Sequence, residues 1–164
     1  MKEVWFCGYR AWSLETYKNL KEVNNLQINL IQSRDEFRKS SKTIQDRSLV
    51  FFIGWSWLIP DAFLKRCFCV CLHPSKLPKY RGGSPIQNKV IDGLEISAVT
   101  IFKMNKDLDA GDIFWQSELI LSGTLNEVLE RIVTLGTEGC SYIIEKYFNS
   151  KLLGHTQNHT QATY

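Results

Sequence analysis

Two short stretches of the 164-residue chain hold side chains whose types and spacing suit proton transfer. His73 opens the run HPSKLPKYRGGSP, and Asp107, Asp109 and Asp112 bracket Gly111 in the run KDLDAGD. An imidazole changes charge near neutral pH, so a histidine in an exposed loop is a credible acid–base group. The same residue type often only hydrogen-bonds a carbonyl, and Asp with Gly is also default turn chemistry. A third run, CFCVCLH, sets Cys67, Cys69, Cys71 and His73 at alternate positions. On a strand these four share one face but spread over roughly 20 Å, whereas zinc gathers its ligands within about 2.3 Å of one point. No metal is expected, and these cysteines, with Cys7 and Cys140, read as small buried apolar residues.

The elements that must position these groups follow from the pattern of apolar residues. Val4–Cys7 is a short apolar run ending at Gly8, and Leu14, Tyr17, Leu20 and Val23 then recur at helical spacing. Leu26–Ile31 and Leu49–Ile53 read as further strands, with a polar helix or irregular connection over 33–48 between them. Pro60 opens a short helix, and Cys67–Leu72 is a fourth strand. Pro74, Pro78, Pro85, Gly82 and Gly83 forbid regular structure after His73, and Ser84–Pro85 reads as an N-cap with proline at the first helical position. Strands over Glu95–Phe102 and Ile113–Leu121 flank the acidic turn, and a long amphipathic helix spans Thr124–Phe148. Alternating strands and helices predict an α/β fold: an open, mostly parallel twisted sheet with helices on both faces. Ligands of such sheets gather outside the carboxyl ends of the strands, here at Gly8–Ser13, Gly54–Leu58 and His73–Gly83.

Composition narrows the function classes. The net charge is +3, with 44% hydrophobic and 23% charged residues, which is globular and not strongly basic. A nucleic-acid partner is therefore not expected. Leu49–Ile59 is interrupted by Gly54 and Ser56 and is too short to span a bilayer. The start Met1-Lys2-Glu3 shows no apolar secretory signal, so a cytoplasmic protein without a membrane partner is expected.

Taken together, HPSKLPKYRGGSPIQ at His73–Gln87 and VTIFKMNKDLDAGDI at Val99–Ile113 resemble the folate-dependent formyltransferase family, with the sugar-nucleotide N-formyltransferases as the branch most alike. The motifs GYRAW, FFIGWSWLIP and the C-terminal QNHTQATY fall in the same order, so the resemblance covers nearly the whole chain. It implies a Rossmann-like fold over residues 1–150, with 151–164 a polar arm beginning a C-terminal extension cut short at Tyr164. It also implies transfer of a formyl group from 10-formyltetrahydrofolate to the amine of a nucleotide-linked amino sugar, with no metal, and a possible homodimer. His73 then matches the general base and Asp109 its orienting carboxylate. Cys71 stands where the family carries an oxyanion-binding Asn. Trp55, Trp57, Leu58 and Ile59 match the segment that holds the pteridine, with Asp107, Leu108 and Asp112 closing the other side. Arg10, Trp12, Lys79, Tyr80 and Arg81 are expected to hold the pyrophosphate and nucleotide. A formyltetrahydrofolate hydrolase, or a folate-binding relative without turnover, uses the same residues.

Overall fold

The computed structural model describes every residue except Met1, Lys2 and Asn25. Six strands, β1 (Val4–Cys7), β2 (Ile28–Ile31), β3 (Leu49–Phe52), β4 (Phe68–His73), β5 (Ile96–Lys103) and β6 (Ile113–Ile120), form one sheet in the order β2-β1-β3-β4-β5-β6. Pairing is parallel from β2 through β4 and antiparallel at β4–β5 and β5–β6, so β5 alone runs against the rest. This is the mostly parallel sheet expected, with an antiparallel edge. The Lys103–Gly111 connection lacks the helical crossover that a parallel neighbour needs, so β5 and β6 close as a hairpin.

Strand alternation divides the core into two layers. Phe6, Leu49, Phe51, Val70, Leu72 and Ile101 face α1 (Ala11–Asn24) and α5 (Leu125–Asn149), where they meet Leu20, Val128, Ile132 and Cys140. Cys7, Val50, Phe52 and Cys69 face α2 (Arg34–Ser40) and α3 (Asp61–Arg66), against Phe37 and Phe63. The polar segment after Ser33 thus forms a helix because Phe37 anchors it and Ser33 accepts from the Glu36 amide as its cap. α5 begins on a capping box, with the Thr124 side chain accepting from Glu127 N while the Glu127 carboxylate accepts from Thr124 N. Val23, expected on the buried face of α1, is instead 67% exposed. No helix among the described residues is long and apolar enough to cross a membrane.

β1 lies between β2 and β3, so chain order reverses there and opens a crevice above the carboxyl ends of β1 and β3. Tyr9 and Ser56 bond across it at 2.7 Å, and Arg10 Nη2 donates to the same hydroxyl at 3.2 Å. The segment after β4 leads into α4 (Pro85–Ile91). Ser84 does not cap α4 as predicted: it adopts a left-handed φ of 53° and makes no side-chain cap bond.

Candidate active site

Period-two alternation along β4 puts Cys71 and His73 on the same face as Cys69, with His73 the last strand residue. The segment after it folds back over the imidazole, with Tyr80, Gly82 and Ser84 at φ of 54°, 90° and 53°. The backbone thereby turns the Tyr80 carbonyl onto His73 Nε2 at 2.6 Å and the Gly82 N–H onto Asp109 Oδ2 at 2.7 Å. Asp109, itself left-handed at φ 50°, brings Oδ2 to 3.6 Å from His73 Nδ1. The two residues predicted to pair do meet, with β5 running antiparallel to β4. His73 lies opposite Thr100, inside β5, and Asp109 comes from the loop after Lys103. That loop can return because Gly111 presses on the strand: a Cβ there would sit 1.7 Å from the Lys103 carbonyl oxygen.

The partners fix the proton on the ring. A carbonyl only accepts, so Nε2 carries the N–H and the neutral ring keeps its lone pair on Nδ1, facing Asp109. Burial holds the His73 pKa below its ordinary value, against the opposing pull of Asp109 and the Tyr80 carbonyl, and the nearby Lys89 adds to the lowering. The site therefore presents a neutral base beside a carboxylate. Cys71 gives its weak S–H bond to the Leu72 carbonyl at 3.5 Å, and burial, then the Asp109 charge, pushes its thiol up. It remains a thiol at neutral pH.

The residues expected to bind ligands divide into three groups. Trp55, Trp57, Leu58 and Pro60 line a cavity of about 600 Å³ with Arg34, Phe37 and Arg38 of α2, and His73, Asp109 and Cys71 do not line it. Trp55 packs on Phe37 and Phe52 and its indole N–H is buried without a hydrogen-bond partner, Ile59 packs on the same core layer, and Leu58 is 96% exposed. In the acidic loop, Leu108 lies against Gly82, Asp107 N bonds to the Asn105 side chain, and the Asp112 carbonyl accepts from Lys103 N. Lys79 and Tyr80 line a separate cavity of about 420 Å³ near Lys89 and Gln116, while Trp12 packs against the α1–α5 core layer.

Arg81 corrects the expectation of a pyrophosphate ligand. It is 5% exposed, and its guanidinium donates to Gln157 Oε1 at 2.8 and 3.3 Å, meets His159 Nδ1 at 2.9 Å and reaches Tyr164 Oη at 3.5 Å. Its fork is spent inside the protein. The polar arm supplies these partners: His155 pairs with Ile113, one 3₁₀ turn covers His159–Gln161, and Thr163 bonds to Tyr80, Arg81 and Pro78. Sequence reasoning missed Gln157, whose burial no local apolar pattern announces. It also missed Lys89, buried with its ammonium donating to the Pro74 carbonyl and to Ser97 Oγ at 2.7 Å. Desolvation lowers that lysine to about 8.

Residues 18–143 match the formyl transferase family. Among curated proteins, the methionyl-tRNA formyltransferase of Thermotoga maritima is 41% identical over 103 residues, covering 62% of this chain and 33% of the relative. That of Caldicellulosiruptor saccharolyticus is 30% identical over 145 residues, covering 87% and 46%. The chain thus spans between a third and a half of the length of these relatives. Among solved structures, methionyl-tRNA formyltransferase from Clostridium thermocellum superposes with a TM-score of 0.83 at 26% identity, over 99% of this chain and 71% of that one. An N-formyltransferase from Helicobacter canadensis, in complex with folinic acid and dTDP-3-aminofucose, superposes at 0.82 with 14% identity over 100% and 70%, a likeness of fold. With the match covering most of the chain and a histidine–aspartate pair at the end of the fourth strand, the protein belongs to the folate-dependent formyltransferase family.

Proposed function

We propose that this chain transfers a formyl group from 10-formyltetrahydrofolate to a primary amine, with His73 as general base. The observation that carries the reading is the placement of His73 Nδ1 3.6 Å from Asp109 Oδ2, with Nε2 held on the Tyr80 carbonyl. The folate supplies an activated formyl carbon. As the amine attacks that carbon, His73 Nδ1 would take the amine proton, with the Asp109 carboxylate stabilising the imidazolium, and return it to the folate N10 as the carbon–N10 bond breaks, releasing tetrahydrofolate and the N-formyl product. The aromatic cavity at Trp55 and Trp57, rimmed by Arg34 and Arg38, suits a flat ring system that carries anionic carboxylates.

Two acceptors have support of different kinds. Sequence likeness to methionyl-tRNA formyltransferases, at 41% and 30% identity, favours an aminoacyl-tRNA. The nucleotide-linked amino sugar expected from the sequence is supported by the modest +3 charge and by the fold shared with the Helicobacter enzyme. The chain would be incubated with 10-formyltetrahydrofolate and either methionyl-tRNA, a dTDP-amino sugar or no acceptor, following folate deformylation and formylated product by mass. Formyl transfer to either amine supports the reading and identifies the acceptor. Formate release alone makes the protein a hydrolase. No deformylation in any arm, with folding verified, sinks the reading.

A further inference from the structure

We propose that Gln157 is a positioning residue, one that holds the His73–Asp109 pair in its reactive arrangement by joining the two loops that form it. The proposal rests on the function just proposed for that pair. Gln157 is 4% exposed and all four hydrogen-bonding positions of its amide are used. Oε1 accepts from Arg81 Nε at 3.3 Å and Nη2 at 2.8 Å, while Nε2 donates to the Asp109 carbonyl at 2.9 Å and the Gly111 carbonyl at 2.8 Å. A guanidinium can only donate and a carbonyl can only accept, so these partners determine which end of the amide is which.

The three anchored residues, Arg81, Asp109 and Gly111, lie in the two loops that carry the pair's contacts. Arg81 sits between Tyr80, whose carbonyl holds His73 Nε2, and Gly82, whose N–H holds Asp109 Oδ2. Tyr80, Gly82 and Asp109 all have left-handed φ, an arrangement that needs outside ties to persist. One side chain provides such ties to both loops. Without it, Arg81 keeps its bonds to His159, Thr163 and Tyr164, and the two loops stay joined through the Gly82 N–H bond to Asp109 Oδ2.

Two variants separate positioning from simple stability. Gln157→Met keeps the length of the side chain and removes all four bonds. Gln157→Glu keeps the acceptors for Arg81 and removes both donors to the acidic loop. The expected result for each is a kcat for formyl transfer at least tenfold lower, with the folate KM within twofold of wild type. The His73 titration, followed by nitrogen-15 NMR, should move up toward an ordinary histidine as water reaches the ring. Asp109 and Lys89 are the charged groups facing that ring, and both remain in the variants. An unchanged His73 titration in either folded variant overturns the proposal. So does a loss of kcat and KM together that tracks only a lower melting temperature. If one variant does not fold, the other carries the same readout. The NMR arm needs no turnover, so a wild-type chain that transfers no formyl group refutes the proposed function and leaves this test in place.

Discussion

At Cys71 the side chain two residues before the base offers only a thiol, and that thiol already bonds to the Leu72 carbonyl. An amide aimed at the charge developing on the formyl oxygen is worth roughly 10² to 10³ in turnover. Cys71→Asn is therefore expected to raise the transfer rate by tenfold or more, measured in single turnovers with saturating folate. A rate equal to or below wild type in a folded variant would mean that another donor binds the oxyanion. His73→Ala is expected to lower transfer by about 10² to 10⁴. Folate affinity by calorimetry should stay within a few-fold, because the cavity proposed for the folate ring does not include His73. The meeting of His73 and Asp109 was legible because the HPS and LDAGD strings are linear. Arg81 and Gln157 were not, because a guanidinium in a loop and an amide in a polar arm look solvated until the fold shows that each is the other's partner.

Among the elements, the β5–β6 hairpin is the one that delivers Asp109, and its close passage at Gly111 is its most demanding feature. Gly111→Ala would drive a methyl into the Lys103 carbonyl, so the loop must move. A destabilisation of at least about 3 kcal/mol is expected from urea denaturation, together with loss of the Asp109 contact to His73. A variant within about 1 kcal/mol of wild type would show that the hairpin relaxes freely. The strands and the long helix were legible because apolar periodicity reports burial directly, as at Val4–Cys7 and in α5. Ser84 shows where that reasoning stops. Ser before Pro is a sound capping signal, yet the turn through Gly82 needs a left-handed residue there, and closing the loop over His73 outweighs the cap. In the same way Phe37 anchors α2 from within a polar segment, a tertiary contact that no local pattern encodes.

On the scale of the whole molecule, two buried bases make stability depend on pH. His73 has a folded pKa below its ordinary 6.5, so the unfolded chain binds the extra proton. Its contribution to stability is complete above pH 6.5 and declines as the pH falls below that value. Lys89 drops from 10.5 to about 8, so between those values the unfolded state again holds more protons and stability rises with pH. Melting temperatures of wild type and Lys89→Met across pH 5 to 10.5 should share the acid loss and the alkaline loss that the buried thiols cause, while the wild-type curve gains on the variant's between pH 8 and 10.5. Parallel curves above pH 8 would place the ammonium in water. The covered imidazole also has a consequence for reactivity toward small electrophiles. Of the three histidines, His155 and His159 are exposed and His73 is 6% exposed, with both ring nitrogens turned toward protein atoms. An acylating reagent such as diethyl pyrocarbonate should label the two exposed rings quickly and His73 in a slow phase that does not accelerate at high reagent concentration. That limiting rate is the rate at which the loop over the imidazole opens, and under the proposed function it caps how often an amine can meet His73.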